Sequence, residues 1–252
     1  WSTKFTIDNT VPEAPVITSP IAESYFNTTP ILNEWSEVSD SSGIAYYRIE
    51  YVYDDGHTFV DAPYRTTPYT TTQRNHIPGL TEQGGVKFKV QAFDNAGNEG
   101  KWSDWVHYYY DQTAPTKPVI TNTTTFTNIN AITIKWIGGD DIAYVNSTGA
   151  GIAAYSIRYV FTPADGSADI DWTSGWVTSG NPKTRSGTFG HGEGKYVMYV
   201  KTVDNAGNES PESDSYTITY DKTAPDVQIT APTSTHLTGI VEISGTVTDA
   251  NP

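Results

Sequence analysis

Cysteine is absent from this 252-residue chain, and methionine occurs once. The first absence excludes a disulfide framework, a thiol nucleophile and any Cys-ligated zinc site. Positive charge is scarce. Fifteen Lys and Arg stand against 29 Asp and Glu, for a formal net charge of −14. That balance argues against nucleic acid or an anionic membrane surface as a partner. Charged residues of both signs make up only 17%, below the roughly 25% of ordinary globular domains. The acids are therefore not part of a dense mixed-charge surface. No apolar run approaches the roughly 18 residues of a spanning helix. Helical periodicity is missing too: no window of about twelve residues combines 3-4 apolar spacing with caps.

Aromatic residues are abundant, with 17 Tyr, 7 Trp and 8 Phe, and 37% of the chain is hydrophobic. A chain of that composition builds packed cores and is not disordered. Internal repetition divides it. Asp111-Gln-Thr-Ala-Pro115 recurs as Asp221-Lys-Thr-Ala-Pro225, and Asp94-Asn-Ala-Gly-Asn-Glu99 recurs as Asp204-Asn-Ala-Gly-Asn-Glu209, both 110 residues later. Gly43-Ile-Ala-Tyr-Tyr-Arg-Ile-Glu-Tyr-Val52 matches Gly151-Ile-Ala-Ala-Tyr-Ser-Ile-Arg-Tyr-Val160, and Trp35 matches Trp136. A weaker linker copy is Asp8-Asn-Thr-Val-Pro12. These matches divide the chain into 1–8, the last strand of a preceding domain; 9–111 and 112–221, two complete repeats; and 222–252, the start of a further domain.

Each repeat reads as antiparallel β-structure. Val86, Phe88, Val90 and Ala92 alternate on one face, as do Tyr196, Met198, Val200 and Thr202. Tyr47, Ile49 and Tyr51 alternate, as do Tyr155, Ile157 and Tyr159, and also Ile132, Ile134 and Trp136. Turn residues such as Asp55-Gly, Pro78-Gly, Gly84-Gly and Asp165-Gly separate the runs. Short strands with frequent turns predict an all-β sandwich.

The early Trp, the Tyr-x-Ile-x-Tyr strand, Leu80 six residues before Val86, the strand ending in Asp-Asn-Ala-Gly-Asn, and Trp102-Ser form one pattern. It resembles the fibronectin type III domain as found in tandem on bacterial surface and secreted proteins. The resemblance implies tandem Ig-like sandwiches in an extended rod. It departs at Val86, where the family usually has Tyr, so the tyrosine-corner hydrogen bond should be absent in the first repeat, while Tyr196 leaves it open in the second. The tail, with Gly239-Ile-Val-Glu-Ile-Ser-Gly-Thr-Val-Thr-Asp249, resembles the first two strands of another bacterial Ig-like type.

The topology that the resemblance implies gathers acids at the joints between sandwiches. Asp111, Asp140, Asp141, Asp204, Asn205 and Asn208 fall at one joint, with Asp54 and Asp55 facing it. Asp8, Asp40, Asp94, Asn95 and Asn98 fall at the joint before it. Ca²⁺ takes 6–8 oxygen ligands of this kind, and converging acids repel unless a cation compensates. A Ca²⁺ clamp is one expectation. Hairpin chemistry is the other, because Asp and Asn bond their own backbone and tolerate left-handed φ.

Other candidates are weaker patterns. Trp172 and Trp176, four apart among polar neighbours, are carbohydrate-stacking candidates, or plain strand residues. The aromatics of Tyr108-Tyr-Tyr110 and Trp102-Ser-Asp-Trp105 should lie half outside the sheet. Asn27, Asn122, Asn146 and Asn208 head Asn-x-Ser/Thr sequons. Catalysis is not expected. His57, His76, His107, His191 and His236 make no His-x3-His or His-Glu-x-x-His arrangement, and there is no Gly-x-Ser-x-Gly elbow.

The expected function is a non-catalytic extracellular stalk or spacer of a large prokaryotic cell-surface protein, adhesin-like or surface-layer-like. Its partners would be neighbouring domains of the same chain, other surface proteins, further copies of itself, or glycans. The alternative is an accessory or carbohydrate-binding module of a secreted polysaccharide-degrading enzyme. Thr-Ala-Pro restricts the linker, since Pro fixes φ and limits its predecessor. Small-angle scattering should therefore give the profile of an elongated particle; a compact profile contradicts the rod.

Overall fold

Period-two patterning places every second side chain on one sheet face, and burial follows that rule in a computed structural model of the protein. The structure describes residues 7–53, 69–71, 73–76, 83–141, 150–177 and 183–249. All of its named elements are strands. The chain divides into two compact units. The first is Trp1–Thr116 with Asp140–Ala153 and Val203–Ser210; the second is Lys117–Gly139, Ala154–Thr202 and Pro211–Pro252.

The first repeat supplies β1 (Ile17–Ser19), β2 (Ser24–Phe26), β3 (Asn33–Trp35), β4 (Ile44–Tyr53), β5 (Tyr69–Thr71), β6 (Asn75–His76), β7 (Gly84–Asp94), β8 (Glu99–Trp102) and β9 (Val106–Tyr110). One sheet runs β1-β3-β6; the other runs β2-β9-β7-β4-β5, with β8 on β7. Antiparallel β4 and β7 are held in a long register in which Tyr51 faces Phe88, Ile49 faces Val90 and Tyr47 faces Ala92. The buried members of these pairs form the core with Trp35, Val86, Tyr108 and Tyr110. Trp35 meets Tyr47 edge-on at 5.5 Å, a favoured aromatic geometry.

The second repeat supplies β10 (Val119–Ile120), β11 (Phe126–Thr127), β12 (Ile132–Ile137), β13 (Ile152–Pro163), β14 (Ile170–Thr173), β15 (Thr184–Gly187), β16 (Gly194–Asp204) and β17 (Tyr216–Tyr220). Its sheets run β10-β12-β15 and β11-β17-β16-β13-β14. Ile134, Trp136, Tyr155, Ile157, Phe161, Tyr196, Met198 and Val200 are buried in its core. In both repeats a short strand, β2 or β11, runs parallel to the last one. Antiparallel β18 (Asp226–Ala231) and β19 (Ser244–Thr248) follow, leaving Val227, Ile229 and Val247 exposed.

The tyrosine-corner hydrogen bond, left open at Tyr196 by the resemblance, forms in the second repeat. Tyr196 Oη donates to the Gly192 carbonyl at 2.9 Å. Its place in the first repeat is taken by Val86, which is fully buried. Phe88→Ala should cost about 3–5 kcal/mol, as a large core truncation. Tyr196→Phe should cost about 1–3 kcal/mol, for one buried bond. Urea unfolding reads both; a loss under about 0.5 kcal/mol, the scale of a surface change, contradicts the packing.

Candidate metal centres

β7 and β16 each end in an aspartate followed by Asn-Ala-Gly-Asn. The chain must reverse there, and Gly97 and Gly207 both take φ of +90°, a value that favours glycine. The Asp side chain closes the turn. In the first copy, Asp94 Oδ1 accepts from Asn98 N at 2.8 Å and Oδ2 accepts from Asn98 Nδ2 at 2.7 Å. In the second, Asp204 accepts the same two bonds from Asn208, both at 2.8 Å. The asparagines also reach outward. Asn98 Nδ2 donates to the Asp8 carbonyl at 3.0 Å, and Asn208 Nδ2 to the Asp111 carbonyl at 2.9 Å. Asn95 Nδ2 donates to Ser42 O at 2.8 Å, and Asn205 Nδ2 to Ala150 O at 2.7 Å. The linker aspartates are thus tied to the turns by amide hydrogen bonds.

Two sets of three carboxylates result. Asp8, Asp40 and Asp94 each bring one oxygen to within 4.8 Å of the others, and so do Asp111, Asp141 and Asp204. All six residues belong to the first compact unit. Two oxygens that share a Ca²⁺ at about 2.4 Å lie at most about 4.8 Å apart, so both sets are within ligand reach of one ion. Asp140 is not among the three; its carbonyl accepts from Thr116 N and Oγ1 at 2.8 and 3.1 Å. Asp54 and Asp55 lie outside the described residues.

The electrostatics of the two sets differ. Asp8 accepts from Thr10 N at 2.9 Å, from Thr10 Oγ1, and from Ser41 Oγ at 2.7 Å. These bonds, that of the Thr10 hydroxyl above all, hold its carboxyl well below the usual range. For Asp94, burial pushes upward, but the bonds from Asn98 and the turn amides prevail and keep its pKa lowered. Asp141 goes the other way. Burial pushes it up to about 6; the Gly151 N–H opposes this, and the charges of Asp111 and Asp204 add to it.

The aromatic candidates sit elsewhere. Trp172 and Trp176 are 44% and 43% exposed. Trp172 lies on β14 against Tyr159, ring centroids 5.0 Å apart. Tyr108 and Tyr110 are buried, while Tyr109 stacks on Tyr25 at 4.6 Å. The sequence reading missed a cation–π ladder. Lys89 Nζ lies 4.4 Å from the Trp102 ring and 4.6 Å from that of Trp105, with Glu50 at 3.0 Å. The alternation of Lys87 and Lys89 on the outer face of β7 was the available signal.

Two sequons are structurally engaged. Asn122 Nδ2 donates to Thr133 O at 2.8 Å while its Oδ1 accepts from Lys135 N at 2.7 Å. The Asn208 amide is committed as described. A glycan on either nitrogen would compete with those bonds. Asn27 is partly buried, and Asn146 lies outside the described residues. Two open clefts lie in the first repeat. One, of about 400 Å³, is lined by Glu37, Asp40, Tyr47 and Arg74 among others. The other, of about 530 Å³, is lined by Glu34, Trp35, Gln73, Arg74 and neighbours.

A family model described as bacterial Ig-like domain matches residues 27–108 and again 114–222. The chain belongs to the bacterial Ig-like domain family. Among solved structures, this bacterial Ig-like pair is similar to the chicken CNTN1 FN1–FN3 domains, at 17% identity and a TM-score of 0.46. That match covers 83% of this chain and 66% of that one, just under two thirds of the neighbour's length. It is also similar to the Clostridium thermocellum CbhA fibronectin(III)-like modules, at 16% identity and a TM-score of 0.41, covering 82% and 93%. No curated protein matches it. Bacterial Ig-like and fibronectin type III modules are commonly extracellular and typically non-catalytic. No helix among the described residues is long and apolar enough to cross a membrane.

Between the ordinary aspartate value of 3.8 and the raised value of about 6 for Asp141, the folded state holds a proton that the unfolded state has released. Stability therefore falls as pH rises through that window. In EDTA, the melting temperature of the wild type relative to Asp141→Asn should drop between pH 4 and pH 7. A constant difference contradicts the shift.

Proposed function

We propose that this segment is a non-catalytic extracellular spacer of a large prokaryotic cell-surface protein, positioning elements attached beyond it, with Ca²⁺ held by its acidic loops. The observation that carries the reading is the treatment of the linker aspartates. Asp8 and Asp111 are not left as free tethers. The first accepts from Thr10 and Ser41 and is gripped through its carbonyl by Asn98. The second accepts from Thr113 and Ala150 at 2.7 and 3.0 Å and is gripped by Asn208. A chain selected only for flexible connection has no use for this, whereas one that sets a fixed reach does. Carboxylate oxygens at mutual ligand distance supply the hard donors that Ca²⁺ prefers.

Ca²⁺ that binds only the folded form raises stability by mass action, about 2.7 kcal/mol at 100-fold excess over Kd. Calcium should therefore raise the melting temperature, and EDTA should lower it. An unchanged melting temperature and an unchanged scattering profile would leave turn chemistry alone.

The second reading is a carbohydrate-binding accessory module, supported by the exposure of Trp172 and Trp176. A glycan array probed with the wild type and with Trp172→Ala/Trp176→Ala tests it. Binding by the wild type alone supports it; silence from both removes it.

A further inference from the structure

The two carboxylate sets are repeat-equivalent, yet their hydrogen bonding is not. In the first set, three of the four oxygens of Asp8 and Asp40 have a donor of their own, and the fourth shares the single proton of the Thr10 hydroxyl. Asp8 Oδ1 accepts from Thr10 N and Oγ1, and Oδ2 accepts from Ser41 Oγ. Asp40 Oδ1 accepts from Ser42 N and Oγ at 2.8 and 3.0 Å, and its Oδ2 lies 3.2 Å from Thr10 Oγ1. Three hydroxyls, from Thr10, Ser41 and Ser42, surround these charges.

Among the described residues, none of the three hydroxyls has a counterpart at the second set. Thr113 occupies the place of Thr10, two residues after its aspartate, but its Oγ1 turns away to Gln83 Oε1 at 3.1 Å. Ser41 and Ser42 follow Asp40, whereas Ile142 and Ala143 follow Asp141. On Asp111 and Asp141 the donors among the described residues are backbone amides: Thr113 N and Ala150 N on Asp111, and Gly151 N on Asp141 Oδ2 at 2.6 Å. Asp141 Oδ1 is left buried with no hydrogen-bond partner, between aspartates that are themselves 1% and 2% exposed. A buried, unpaired carboxylate oxygen beside two further carboxylates is a costly arrangement in a protein interior. A divalent cation with oxygen ligands satisfies it at one stroke.

We infer that the two sets are unequal: Asp111, Asp141 and Asp204 take a single divalent cation of the Ca²⁺ type, and Asp8, Asp40 and Asp94 are closed by hydroxyls instead. This rests on the cation reading proposed above and assigns it to one site. The hydroxyls of the first set do locally what the ion does at the second, so the repeats have diverged in how they neutralise the same turn.

Isothermal titration of the whole segment with CaCl₂ tests it. The wild type should bind one ion. Asp141→Asn should lose that binding while melting as a folded protein in EDTA, and Asp8→Asn should keep it. Thr10→Val/Ser41→Ala, which strips donors from the first set, should raise the stoichiometry from one to two. Two equivalent sites in the wild type would overturn the inequality and leave the cation reading standing, as would loss of binding in Asp8→Asn with retention in Asp141→Asn. A stoichiometry still at one in Thr10→Val/Ser41→Ala would overturn the hydroxyl closure. No binding by the wild type would overturn the inference and the cation reading together.

Discussion

The register between β4 and β7 is the constraint on which the first repeat depends. Ile44 opposite Asp94 and Tyr53 opposite Val86 mark the two ends of that ladder. Within it, Val86, Phe88, Val90 and Ala92 have no measurable exposure. A slip of one residue would turn all four to the other face. The same register delivers Asp94 to the end of the sheet at the point where the chain must turn. The acidic loop is therefore a by-product of core packing, and its position is as secure as the core.

Hydrogen bonding then converts a turn into an anchoring point. Asp94 and Asp204 each bind their own loop through both carboxylate oxygens, and the asparagines at the far side of the turn reach the linker aspartates. Those bonds hold the Asp94 carboxyl below its usual value against the upward push of burial. Such a charge is tolerated where donors are numerous and costly where they are few. The first repeat surrounds its acids with hydroxyls; the second offers mostly backbone amides. Identical phrases in the two turns thus sit in unequal electrostatic settings.

The outer face of the first sheet carries a separate kind of stabilisation. Lys89 lies over two tryptophan rings with Glu50 alongside, and Arg48 lies 4.3 Å from the Phe93 ring centroid. The second repeat places Arg158 over Tyr199 at 4.3 Å and pairs it with Glu212 and Asp171. Arg158 holds the Glu212 carboxyl below its usual value, chiefly by direct hydrogen bonding. In both repeats aromatic residues and cations share the solvent-facing side of the strands. That is why so aromatic a chain keeps a buried core distinct from its surface.

Period-two alternation, the Asp-Asn-Ala-Gly-Asn turns and the repeated linkers were legible in the sequence, because strands and tight turns are governed by neighbours along the chain. From them the all-β tandem sandwich and the buried faces could be read directly, while the tyrosine-corner bond was left open at Tyr196 by the family resemblance alone. Tertiary structure decided what depends on side chains distant in sequence. Asp141 joined Asp111 and Asp204, while the adjacent Asp140 is tied through its carbonyl to Thr116. Thr113 matched Thr10 in sequence, yet Gln83, 30 residues earlier, drew its hydroxyl away. Whether a carboxylate is satisfied depends on every donor that reaches it in space, and sequence order supplies only the nearest of them.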